Sequence, residues 1–246
     1  MSVVIVTGGS RGIGAEICAQ AAASGYDVVV NYAGDAAAAA SVASRVEASG
    51  RRALTVRADV SSESEVAALF EAAAELGPLY GLVNNAGIVG RAARLEDQDV
   101  STVRRVLDVN VTGVFLCCRE AVRRLSTRHG GSGGAIVNVT STAARLGSAG
   151  EWVHYAASKA AVETLTFGLA QEVAAEGIRV NAVAPGLVNT GFHETAGVPD
   201  RVDRLGPGVP MGRAGDPAEI AAGVVWLLSA SASFATGAVL PISGGR

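Results

Sequence analysis

Tyr155 and Lys159 stand four residues apart in a stretch that reads as a helix, so their side chains share one face, one turn apart. An ammonium beside a phenol favours the phenolate and draws its pKa down from about 10, which makes Tyr155 a candidate general acid and base. Composition points to the same pair: of twenty basic residues nineteen are Arg, and Lys159 is the one Lys. The two cations exchange freely on a solvated surface, whereas a site that needs a compact ammonium rejects a planar guanidinium. Ser141, just after an apolar run, is placed to orient or polarise a carbonyl oxygen. Near the start, Gly8, Gly12 and Gly14 form G-x-x-x-G-x-G, a spacing that differs from G-x-G-x-x-G. Such a loop turns tightly and aims the free amides of a helix N-terminus at a pyrophosphate.

Other chemistries compete for the same residues. Gly8-Gly9-Ser10-Arg11-Gly12 also satisfies G-x-S-x-G, as does the stretch 130–134 around Ser132, so each mimics a nucleophile elbow. An elbow needs an Asp or Glu and then a His suitably placed downstream, and it usually follows several strands rather than the first. A P-loop is excluded, because its Lys must follow Gly and the only Lys here follows Ser158.

The elements that must position these residues alternate. A β-branched run at 3–7 leads through the glycine loop into a helix ending near Ser24 and closed by Gly25. Strands follow at 28–31, 53–57 and 79–83, separated by helices at 36–49 and 62–76. Helices over about 98–128 and the linker 130–134 precede a fifth strand at 135–140. A helix over 153–176, a strand at 179–184, a loop over 186–215, a helix over 217–229 and a strand near 238–240 complete the chain. Strands that are apolar runs, alternating with helices, predict an α/β fold: a doubly wound parallel sheet of about seven strands with helices on both faces, in one domain over 1–246. Ligands of such sheets bind at the carboxyl ends of the strands. The long segment 188–213, which carries His193, reads as a substrate lid.

Composition narrows the partners. Hydrophobic residues are 49% and charged ones 17% of 246, enough for a core and too apolar for disorder. A formal charge of -3 with no basic tail argues against nucleic acid. The longest uncharged stretch, 220–245, is interrupted by Ser, Thr and Pro, so no membrane span is expected. Cys18, Cys117 and Cys118 lack metal-ligand spacing and suit a reduced cytoplasm, with no metal site.

Together these motifs resemble those of the short-chain dehydrogenase/reductases, including members similar to 3-oxoacyl reductases and sugar dehydrogenases, and the resemblance covers nearly the whole chain. The residues that carry it are Thr7 to Gly14 as cofactor loop, Asn84-Asn85-Ala86-Gly87 as a sheet-supporting motif, Ser141 with Tyr155-Ala156-Ala157-Ser158-Lys159 as active site, and Pro185-Gly186 as nicotinamide loop. Asn110 matches the asparagine of a proton relay. The resemblance implies a Rossmann-type domain in which Tyr155 passes a proton, Lys159 lowers its pKa and holds the nicotinamide ribose, and Ser141 positions the substrate oxygen. It further implies cofactor contacts from Gly8, Ser10, Arg11, Gly12, Ile13, Gly14, Asn31, Tyr32, Asp59, Val60, Asn85, Ala86, Gly87, Pro185, Gly186, Val188 and Thr190, with Asp59 at the adenine and Thr190 at the carboxamide. It also implies a homodimer or homotetramer paired through the helices near 110–128 and 153–176.

Departures and charges refine the expectation. Ser141 and Tyr155 are fourteen apart, one more than in many relatives, so the stretch 147–154, with Glu151, Trp152 and His154, is expected to bulge toward the substrate mouth. The chain ends in Ser243-Gly244-Gly245-Arg246 where an acidic residue often precedes paired glycines, which leaves the packing there open. The second strand ends in Asn31-Tyr32 without a carboxylate to repel a 2′-phosphate, and Arg11 is placed to pair with one, so NADP is expected rather than NAD. Arg123, Arg124 and Arg128 either dock an acidic acyl carrier protein or complement a helix dipole. The expected function is interconversion of a secondary alcohol and a ketone on a small molecule; the alternative is a non-catalytic dinucleotide sensor or scaffold.

Overall fold

β1 (Val3–Val6) shows why the sheet is doubly covered: Val4 and Val6 point into one apolar layer and Val3 and Ile5 into the other. A strand buried on both faces cannot alternate polar and apolar residues, so it reads as a continuous run. The computed structural model describes residues 2–246, His193 by its backbone alone, so the side chain of that lid residue lies outside what is described. Seven strands form one sheet, each pairing parallel to its neighbours in the order β3-β2-β1-β4-β5-β6-β7. They are β1, β2 (Asp27–Tyr32), β3 (Ala53–Arg57), β4 (Leu79–Asn84), β5 (Gly134–Val139), β6 (Ile178–Pro185) and β7 (Val239–Ile242).

On one face α1 (Gly12–Ala23) and α2 (Ala36–Ala48) pack Ile17, Cys18 and Val42 onto Val4, Val28 and Val137. On the other, α3 (Glu63–Leu76) brings Leu69 and Phe70 to Ile5, Leu82 and Ile136. Caps set where helices begin: Asp35 accepts from the Ala38 amide at 2.9 Å, and Ser62 caps α3. Because the winding reverses between β1 and β4, the turns after them splay apart and leave a crevice.

The helices expected over about 98–128 form one continuous run, 100–125, with a change of pitch inside it. It divides into α4 (Val100–Leu107), a π-helical turn Asp108–Thr112 and α5 (Gly113–Leu125). After β5 come the short α6 (Ala143–Leu146) and the long α7 (Val153–Val173). The segment between β6 and the last helix is not bare loop; it contains α8 (Phe192–Thr195) and α9 (Arg201–Leu205). α10 (Pro217–Leu228) starts at a capping box of Asp216 and Glu219 and packs against α1. All three thiols are buried and unbridged, and burial pushes each up from its ordinary pKa. Among the described residues no helix is long and apolar enough to cross a membrane.

Candidate active site

A cleft of about 1120 Å³ opens at the carboxyl ends of the strands. At its centre the turn after β1 is held by a closed set of hydrogen bonds. The Thr7 hydroxyl donates to Val83 O (3.2 Å) and accepts from the amides of Asn85 (3.0 Å) and Ala86 (3.1 Å). Asn85 Nδ2 donates to Thr7 O and Gly8 O, and the Gly8 amide donates to Asn31 Oδ1 (3.2 Å). Gly8 and Gly12 take φ of +61° and +54°, and a Cβ at Gly14 would collide with Gly8 O. Only glycine meets these conditions.

The leading end of α1 faces this cleft uncapped. Its N-cap, Arg11, makes no side-chain cap, and the first turn holds no acidic residue. Gly12, Ile13 and Gly14 line the wall with amides that the helix itself cannot satisfy. A pyrophosphate fits that cradle, since free amides and the positive helix end favour an anion together. Thr190 leans over the turn, its Cγ2 3.5 Å from where a Gly12 Cβ would be. Pro185, Gly186 and Val188 continue the wall beyond it.

At the outer end, Ser10, Arg11, Tyr32, Asp59 and Val60 line the cleft. Arg11 is exposed and, among the described residues, has no ion-pair partner. Asn31 is buried, and its amide is committed inward, to Gly8 and to Ala58 O at 3.0 Å, so it braces the turn. The Asp59 carboxylate is held by Arg105 (2.6 Å) and Ser61 (2.7 Å), which keep it well below the ordinary carboxylate pKa despite partial burial. Sequence gave no sign of Arg105 at this wall, because its partner lies 46 residues away.

At the inner end Ser141, Tyr155 and Lys159 meet. Lys159 Nζ is 5.7 Å from the centre of the Tyr155 ring and donates to Val139 O at 2.8 Å. Its other two N–H groups have no acceptor among the described residues. Ala86 and Gly87 line the cleft beside them, and a Cβ on Gly87 would come within 3.4 Å of Lys159 Nζ. The expected lowering of the phenol is not what the groups show. Burial pushes Tyr155 up to about 12, with the neighbouring Ser141 hydroxyl pulling the other way. Burial likewise lowers Lys159 to about 8. Desolvation penalises the charged form of each.

Asn110 does not reach the cleft. It sits fully buried on the π-helical turn, accepting from the Ile88 amide (2.9 Å) and donating to Ile88 O (2.8 Å) and to Ser158 Oγ (3.0 Å). Ser158 in turn donates to Tyr155 O at 2.7 Å, so Asn110 ties the segment after β4 to the first turns of α7. A π turn inserts one residue into the helical repeat and so aims this side chain inward.

The stretch 147–154 does reach the cleft. Glu151 and Trp152 line it, while His154 is buried behind, with Nε2 2.9 Å from Val89 O. Trp152 packs with Val89 and Ala196, and against Tyr155, Phe192 and Val198. Arg201 of α9, which sequence did not single out, also lines the cleft and meets Glu151 at 2.5 Å. Arg246 of the C-terminus lies on the rim as well. Of the basic cluster, Arg123 and Arg124 share Glu120, Arg124 also meets Glu71, and Arg128, just past α5, lies 3.7 Å from Glu176.

The family described as enoyl-(acyl carrier protein) reductase matches residues 8–246. The chain is 50% identical over 247 residues to "uncharacterized oxidoreductase YgfF" of Escherichia coli (strain K12), covering 100% of both. It is 44% identical to cis-4-hydroxycyclohexanecarboxylate dehydrogenase of Sinomonas cyclohexanicum, covering 99% of this chain and 95% of that one. Among solved structures, a dehydrogenase/reductase from Sinorhizobium meliloti 1021 is 36% identical with a TM-score of 0.91, covering 99% of this chain and 94% of that one.

Proposed function

The chain belongs to the short-chain dehydrogenase/reductase family and is an oxidoreductase acting on CH–OH groups, and on that premise we propose that it uses NADP to interconvert a secondary alcohol and a ketone, with Tyr155 as general acid and base. One observation carries the reading: Ser141, Tyr155 and Lys159 share a wall of the same cleft that runs on to the uncapped end of α1. The Sinomonas relative is named for a cyclic secondary alcohol, which supports the substrate class.

In this reading Gly12, Ile13 and Gly14 hold the pyrophosphate, Arg11 the 2′-phosphate and Lys159 the nicotinamide ribose. The nicotinamide, when bound, supplies the hydride for reduction of the carbonyl carbon. Ser141 donates a hydrogen bond to the substrate oxygen and fixes its position. Tyr155 then gives its proton to that oxygen: the phenolic O–H bond breaks, the alcohol O–H forms, and the phenolate is left beside the Lys159 ammonium. Lys159, its ammonium beside the Tyr155 ring, is placed to supply a proton toward that phenolate. Solvent in the cleft then restores Lys159. Asn110 is a positioning residue that sets the first turns of α7. Residues 188–213 act as the lid over one domain spanning the chain.

A homotetramer is part of the proposal, supported by the exposed Phe115 on α5 and Phe167 on α7. Three buried thiols support a cytoplasmic setting. The test is a panel of ketones assayed with NADPH and NADH. The parent protein should favour NADPH in kcat/KM, and Tyr155→Phe should cut kcat by about 10³ while nucleotide binding persists. Protein that binds either nucleotide yet reduces no ketone would instead be a sensor, and a clear NADH preference would defeat the role given to Arg11.

A further inference from the structure

Arg201 is 9% exposed, yet only one of its nitrogens is used. Nη1 donates to both carboxylate oxygens of Glu151, while Nε and Nη2 have no protein acceptor among the described residues. The guanidinium stacks 4.5 Å from the Trp152 ring, and Trp152 Nε1 is itself buried without an acceptor. A buried donor such as Trp152 Nε1 is costly unless something completes it, while the free nitrogens of Arg201 stand open to the cleft. Both side chains line the cleft, and Trp152 shares its apolar cluster with Tyr155. An apolar wall therefore runs from the reacting phenol to a group of N–H donors awaiting an oxygen.

Charge narrows what that oxygen belongs to. Glu151 already balances the Arg201 cation at 2.5 Å and remains 30% exposed beside it. A second carboxylate arriving there would meet a matched pair and a negative neighbour. An uncharged acceptor would face no such repulsion and would complete the free donors.

We propose that the far end of the substrate pocket, where Arg201 meets Trp152 and Glu151, binds an uncharged oxygen acceptor of the substrate, a second carbonyl or an ester, carried on an apolar body away from the reacting ketone. The inference rests on the reading of Tyr155 above, since that fixes where the reacting carbonyl sits. Arg201 and Glu151 are then specificity-determining: one supplies the donors and the other excludes anions. The segment 188–213 contributes to recognition through α9.

Three cyclohexanones substituted at carbon 4 with propyl, methyl ester or carboxylate test this, because they share a ring and differ only at the remote group. The ester should exceed the propyl compound in kcat/KM by at least about tenfold, mostly through KM, with the carboxylate lowest. Arg201→Met should bring the ester-to-propyl ratio to near one. Glu151→Gln should raise the carboxylate relative to the ester by about tenfold, and the double variant should lose that gain. Ester and propyl compounds used alike by the parent protein, or an Arg201→Met variant that keeps the ratio, would overturn the proposal. Calorimetric binding of the same three compounds to the protein loaded with oxidised nucleotide reads the same ranking without turnover. If the ranking holds there while no ketone is reduced, the catalytic reading has failed and the recognition site stands.

Discussion

The two ends of the cleft are built on opposite principles. Around the glycine turn, the polar side chains Thr7, Asn31 and Asn85 direct their hydrogen bonds into the protein, and the ligand is offered backbone. Around Trp152 and Arg201, side chains face the cleft with donors left over. The first end is saturated and rigid, suited to one ligand that never changes. The second keeps donors without partners, and its key pair spans two connecting segments 50 residues apart. Binding a common cofactor needs shape fixed by backbone, whereas choosing a substrate needs side chains that can be replaced without disturbing the sheet.

The largest effect should come where the two ends meet. Lys159→Arg should lower kcat by about 10³ although Arg serves everywhere else in the chain, because a guanidinium cannot occupy the buried point between Val139 O and the phenol. Steady-state turnover within about threefold of the parent would show that the lone lysine is incidental.

At the saturated end, Gly14→Ala should cost about 2–3 kcal/mol in denaturant unfolding and abolish nucleotide binding, because the new methyl would press on Gly8 O. A variant that still bound nucleotide would show that turn to be more pliant than its hydrogen bonds imply. Arg11→Ala sharpens the comparison from the other side, since Arg11 is the exposed exception to the inward-facing rule. It should reduce kcat/KM with NADPH about tenfold and leave NADH nearly unchanged.

The smallest effect is on stability. Below pH about 8 the folded protein holds Lys159 as a buried ammonium, at a cost that is relieved as pH rises from about 8 toward 10.5, where the unfolded chain still binds the proton. Lys159→Met should therefore melt a few degrees higher than the parent at pH 7, roughly 1 kcal/mol, with the gap closing toward pH 10. An unchanged Tm would mean that the ammonium costs little in its place.

Much of this was legible in the residues. β1, β3 and the glycine turn follow from local rules, since an apolar run and a chain reversal are written in consecutive residues. The change of pitch at Asp108–Thr112 was not, because the π turn is fixed by bonds from Asn110 to Ile88 and Ser158, 22 and 48 residues away. Arg201 was missed for the same reason: it looks like any surface arginine until Trp152 and Glu151 are folded against it. Spacing shows the Lys159 neighbour of the phenol but not the loss of water, which pushes the phenol up.

Asn31 deserves a last consequence. One carboxamide spans three pieces of chain: it receives the Gly8 amide and gives its own hydrogens to Val56 O and Ala58 O at the end of the outermost strand. A nucleotide that immobilises the turn thereby also tightens the open border of the sheet, where β3 has a neighbour on one side only. Through this one amide the crevice and that border share their hydrogen bonds.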